Sequence, residues 1–214
     1  MQRIWNLILA VAIAATVIAQ LVLLLAGGAD VNTAPSAAPV PLPTRLLRFF
    51  SYFTVQSNLL VLAAAITLVI DPQRDGKFWR VLRLDGLLGI AVTGVVSATL
   101  LAGLIHPVGI GVWINAGFHQ FSPVWTLVGW LLLGPRPRVD MGTIALAFIW
   151  PTAWLAYTMV HGALTGWYPY PFLNADKLGY GQVSITLVVI LAAALATAFA
   201  FHVLERWLPP SRTR

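Results

Sequence analysis

The chain has 214 residues, of which 59% are hydrophobic and only 9% charged, and its mean hydropathy is +0.83. These values exclude a soluble globular domain and predict a single membrane domain of class all-α. The excess of Lys and Arg gives a net charge of +6, but these residues fall in short loops, so they report membrane orientation and not nucleic acid.

Cysteine is absent, which removes disulfides, thiolate metal sites and cysteine nucleophiles. Six apolar segments approach the roughly 20 residues that a bilayer core requires. They cover 5–26, 49–70, 85–105, 112–133, 142–161 and 182–203, and they predict a polytopic protein with six transmembrane helices. The first run is longer than the 7–15 residues, approximately, of a secretory h-region, so it reads as an uncleaved helix. A Pro/Ala-rich loop, 28–47, follows it and reads as extended and flexible.

Residues three, four and seven apart share a helix face. In the second span Ser51, Thr54 and Asn58 fall on one face and Gln56 on another. The third carries Gly89, Thr93 and Ser97, a small-residue packing face. In the fourth, Asn115, His119, Ser122 and Thr126 make a polar stripe, and in the fifth Trp154, Tyr157, Thr158 and His161 make another near one end. Unsatisfied polar groups cost several kcal/mol in lipid, so these stripes must face other helices or a wet cavity. After the fifth span, 162–181 forms an outer flap dense in aromatics and prolines, with Trp167, Tyr168, Tyr170, Phe172 and Asn174 as candidate substrate contacts. Of the remaining histidines, His106 beside Pro107 reads as solvated and His202 as interfacial.

The loops alternate in charge. Arg3, Arg74, Lys77, Arg80, Arg83, Arg136, Arg138, Arg206, Arg212 and Arg214 fall on one side, against Arg45, Arg48 and Lys177 on the other. The positive-inside rule puts both termini in the cytoplasm. Thr54 and His119 then lie roughly 8 and 10 Å inside the outer face of their spans at 1.5 Å per residue. A hydroxyl and an imidazole at matching depth are the parts of a nucleophile and its base. Their ordinary roles compete with this: a membrane threonine bonds its own i−4 carbonyl, and His119 can pair with Asn115 as helix–helix glue.

The seven acids are assigned to loops and helix ends. A third group orienting His119 is therefore neutral, Asn115 or Tyr157, or comes from Asp176 in the flap. No GxSxG, HExxH, Walker or GxGxxG pattern occurs, and no metal site or cofactor is predicted.

Three segments together resemble one family. FFSYFTVQSN around Thr54, NAGFH ending at His119 and HGALTGWYPYPFLN after the fifth span look like the androgen-induced/FAR-type six-helix membrane proteins. The likeness covers spans two to five, roughly half the chain. Animal members of that family are intramembrane threonine hydrolases of fatty acid esters of hydroxy fatty acids. The resemblance implies Thr54 as nucleophile and His119 as base; the polar residues around them leave Asn58, Asn115, Tyr157 and His161, or a flap backbone N–H, as candidate oxyanion or orienting groups. The chain departs from the animal pattern at Asn58, which stands four residues after Thr54 and not three, and at Ala116, where a histidine is often found.

The function expected is thus an intramembrane lipid ester hydrolase, with membrane lipids as substrate and solvent. The Ala/Pro/Arg-rich, Lys-poor usage points to a bacterial plasma membrane, with the active site toward the outer leaflet. Two competitors use the same residues: a lipid or small-molecule transporter or binding protein with a polar cavity, and a haem carrier ligated by His119 and His161.

Overall fold

Where no water reaches the backbone, helices satisfy its hydrogen bonds within one segment, and this chain follows that constraint. The computed structural model describes residues 1–28, 40–104, 106–136 and 139–208, and every regular element among them is helical. Residues 29–39 of the Pro/Ala-rich loop, Ile105, and the basic residues Arg138, Arg212 and Arg214 lie outside the described residues.

The chain runs through α1 (Gln2–Leu25), α2 (Leu42–Ser51), α3 (Phe53–Ile70) and α4 (Lys77–Thr99). It continues as α5 (Ile110–Ala116), a π-helical turn (Gly117–Phe121) and α6 (Ser122–Leu133), and then α7 (Met141–Ala147), α8 (Ile149–Thr165) and α9 (Ala175–Trp207). Among the described residues, five helical stretches are long and apolar enough to cross a bilayer: Gln2–Leu25, Phe53–Ile70, Lys77–Thr99, Met141–Thr165 and Ala175–Trp207. They make the chain an integral membrane protein.

Several boundaries differ from the hydropathy pattern. The second apolar run does not start as one helix at Phe49. Tyr52 is extended (φ −67, ψ 129) and separates α2 from α3, so Thr54 sits in the first turn of α3 and not several residues inside a span. The expected 85–105 helix is displaced toward the N-terminus, to Lys77–Thr99. Phe78, Trp79, Val81, Leu82 and Leu84 interleave with Arg80 and Arg83 there, and long basic side chains can lay their stems along apolar neighbours. As a result Asp85 is neither in a loop nor at a helix end: it is buried within α4. The irregular flap is shorter than 162–181, because α8 runs to Thr165 and α9 starts at Ala175, with a non-helical Gly179 (φ 77) near its start.

Tight approaches organise the bundle. Trp5 of α1 and Trp125 of α6 stack at 4.0 Å, and each indole Nε1–H donates to the other's carbonyl, at 3.1 and 3.2 Å. Gly117 lets the π turn come close to α1, where a Cβ would stand 2.4 Å from Thr16 Oγ1. At the opposite end from the flap, Val139 is gripped from α9: its N–H donates to Glu205 Oε1 at 2.6 Å, and His202 Nδ1 bonds its carbonyl. His202 is buried at this contact.

Candidate functional site

Two interruptions of helical geometry bring the site together. The first is the α2–α3 break. A helix leaves its last carbonyls and first N–H groups without intrahelical partners, and here side chains take them. Phe50 O accepts from Gln56 Nε2 at 2.9 Å and Ser51 O from Trp154 Nε1 at 2.8 Å, while Thr54 N donates to Tyr170 Oη at 3.1 Å. Trp150 Nε1 donates to Gln56 Oε1 at 2.9 Å, which ties α8 to the same junction.

The second interruption is the π turn carrying His119. Pro123 lies four residues beyond His119, and a proline lacks the N–H its i−4 carbonyl needs and clashes with that carbonyl. The helix widens just before it: Ser122 N bonds Gly117 O, five residues back. Such turns recur at functional sites.

Thr54 and His119 meet. Thr54 Oγ1 lies 3.3 Å from His119 Nε2, and both residues are buried, at 5% exposure each. His119 Nδ1 lies 3.3 Å from Asn115 O. With the Nδ1 proton donated to that carbonyl, Nε2 is left as the acceptor for the threonine proton. The Oγ–Nε2 distance is a little long for a hydrogen bond, as catalytic contacts often are before substrate binds. A third group completes the cluster: Tyr170 Oη is 3.2 Å from Thr54 Oγ1. One consistent assignment has Tyr170 O–H donating to Thr54 Oγ1, Thr54 O–H to His119 and Thr54 N–H to Tyr170.

The other candidates divide. Asn58, fully buried, joins α3 to the π turn, because its Nδ2 donates to Thr54 O at 2.8 Å and Phe118 O at 3.3 Å. Asn115 takes part through its backbone carbonyl. Tyr157 is not brought to the pair: its hydroxyl bonds Ser51 Oγ at 2.7 Å. His161 lies beside Thr165, Tyr157 and Trp167 and away from His119. In the flap, Trp167 sits under the Arg48 guanidinium at 5.0 Å and edge-on to Tyr52. Tyr168 packs over Gly162, where a Cβ would come within 2.1 Å of its ring. Phe172 stacks on Tyr170 at 5.2 Å. Asn174 caps α9, accepting from Lys177 N at 3.0 Å.

Thr54 also opens onto a cavity. It is almost wholly apolar, with an empty volume of about 620 Å³ counted out to its open side, and lies between α4, α8, α9 and the flap. Phe53, Thr54 and Tyr170 line it, and so does Thr93, whose hydroxyl has no partner among the described residues.

Two roles are absent from the sequence pattern. Tyr170 is a flap candidate there with no tie to Thr54, although its place between Pro169 and Pro171 marks a backbone held rigid. Pro123, directly after the polar stripe reaches Ser122, is the signal for the widened turn. No family profile, curated protein or solved structure matches the chain.

Proposed function

We propose that the protein is an intramembrane hydrolase of lipid esters that uses Thr54 as nucleophile and His119 as general base. The observation that carries this reading is the buried 3.3 Å contact between Thr54 Oγ1 and His119 Nε2. His119 Nε2 takes the threonine proton as Oγ attacks the ester carbonyl. The imidazolium then returns that proton to the leaving alkoxide, giving acyl-Thr54. Water, deprotonated by the same nitrogen, attacks the acyl carbonyl and releases the carboxylic acid and free Thr54. Tyr170 O–H is the hydroxyl positioned to stabilise the negative charge on oxygen, aided by the positive end of α3.

The bilayer setting extends this reading. Ile110–Leu133 is continuous through its π turn and about 36 Å long at 1.5 Å per residue, enough for a sixth span. Six spans and the inward bias of basic residues put both termini in the cytoplasm and the pair toward the outer leaflet of a bacterial plasma membrane. The arrangement fits the androgen-induced/FAR-type threonine hydrolases, with fatty acid esters of hydroxy fatty acids or related lipid esters as substrates.

Labelling with a fluorophosphonate probe tests the reading. Thr54→Ala and His119→Ala abolish labelling in proteins that still fold. Labelling that survives Thr54→Ala refutes it and leaves a lipid-binding or transport role.

A further inference from the structure

The hydrolase reading leaves open what the cavity beside Thr54 holds, and its shape supplies an answer that rests on that reading. The flap joins α8 to α9, so lining residues farther along these helices from the flap lie deeper. The deepest are Val92 of α4, Pro151 of α8 and Ala194 of α9. Leu187 and Ala194 are seven residues apart on one face of α9, a depth of about 10 Å at 1.5 Å per residue. Thr54 and Tyr170 are at the flap end.

The walls are apolar apart from a few groups, and one side is thin. Between the buried residues Val183 and Ala198, no residue of α9 is buried. Leu187, Ile190, Leu191 and Ala194 therefore form a single layer between the cavity and the lipid beside the seam of α8 and α9.

We propose that this cavity is an acyl chamber. It takes the fatty acyl chain of the ester, which enters sideways from the bilayer between α8 and α9, and its floor at Ala194 limits the chain length accepted. The ester carbonyl stays at the flap end beside Thr54, and the chain runs down α9 away from the flap. Ala194 and Leu191 are thus specificity-determining positions for the acyl group.

Two experiments test this. The first compares hydrolysis of 4-nitrophenyl butyrate and octanoate. Ala194→Trp fills the floor and lowers kcat/KM for octanoate relative to butyrate by about tenfold or more, because buried methylenes each add to binding. Leu191→Ala enlarges the chamber and shifts the same ratio the other way, so the proposal is tested even if the tryptophan variant does not fold. An octanoate-to-butyrate ratio unmoved in variants that hydrolyse butyrate overturns the chamber while the hydrolase reading stands.

The second experiment needs no catalysis. An octanoyl ester carrying a diazirine at its chain terminus, photolysed with Thr54→Ala protein in phosphatidylcholine vesicles, crosslinks to the peptide containing Leu187–Ala194. Crosslinks there with no wild-type hydrolysis would uphold the chamber and reject the chemistry. Crosslinks confined to other helices overturn the chamber.

Discussion

Tyr170→Phe isolates one oxygen. Its ring contacts with Phe172 at 5.2 Å and Tyr52 at 5.7 Å remain, while Oη is lost from 3.1 Å off Thr54 N and 3.2 Å off Thr54 Oγ1. Thr54 N is in the first turn of α3, where no intrahelical acceptor exists, and the residue is 5% exposed. Leaving that N–H unpaired costs about 1–3 kcal/mol of stability. The catalytic cost is separate: removing a donor of this type from acyl transfer lowers rates about 10²–10³-fold, or roughly 2.7–4 kcal/mol. The assay is the second-order rate of fluorophosphonate labelling of purified protein, with thermal unfolding measured in parallel. Tyr157→Phe is the control, since its hydroxyl bonds Ser51, and its labelling rate stays within about twofold of wild type, inside the 1 kcal/mol typical of a neutral hydrogen bond. Wild-type labelling by Tyr170→Phe, or equal losses in both variants, refutes the role given to Tyr170.

Gly162→Ala places a Cβ 2.1 Å from the Tyr168 ring. Carbon atoms rest at about 3.5–4.0 Å, so the ring retreats and carries the flap, with Tyr170, away from Thr54. Labelling falls toward the Tyr170→Phe rate, and stability drops by about 1–3 kcal/mol; an unchanged labelling rate would show that the flap does not position Tyr170. Thr93→Val removes a buried hydroxyl that has no partner among the described residues, so thermal unfolding shifts up or stays level, and a marked loss of stability contradicts the unpaired assignment. The Arg80 hydrogen bond holds the Asp75 carboxyl down to about 2. A depressed carboxylate stabilises the fold above its unfolded value near 3.8 and loses that effect as pH falls through 2. Asp75 is half exposed, so solvent screening limits the pair to under about 1 kcal/mol. Asp75→Asn therefore unfolds slightly earlier than wild type at neutral pH and together with it at pH 2; a gap that persists in acid rules out the ion pair as its cause.

The class of fold was legible because lipid permits few alternatives and hydropathy reports burial in lipid directly. The polar faces carrying Thr54 and His119 were legible in a setting where polar faces need partners, while their meeting comes from the tertiary contacts. Boundaries were not. Hydropathy treats Arg80 and Arg83 as loop and Asp85 as a helix end, while the backbone continues helical through them. It also runs through Tyr52, because a break costs no hydrophobicity when Phe49, Phe50 and Phe53 surround it. Tyr157 and His161 share a helical phase with Trp154, but phase gives direction on one helix and says nothing of what faces it. Only tertiary contacts distinguish Tyr157, bonded to Ser51, from Tyr170, bonded to Thr54.

The two breaks explain why the pair holds its geometry. An unbroken helix from Phe49 would give the Thr54 N–H to Phe50 O and leave Tyr170 without that donor. An unwidened turn before Pro123 would place the His119 carbonyl against the proline ring. Each break instead frees backbone groups that lipid cannot solvate, and at the α2–α3 break three of them are met by side chains: Phe50 O by Gln56, Ser51 O by Trp154 and Thr54 N by Tyr170. Asn58 spans from Thr54 O to Phe118 O and binds one break to the other. Moving Thr54 away from His119 would strip partners from several of these groups at once, each worth about 1–3 kcal/mol when left unpaired. The hydrogen bonds that hold the helix ends are therefore the same ones that hold the nucleophile against its base.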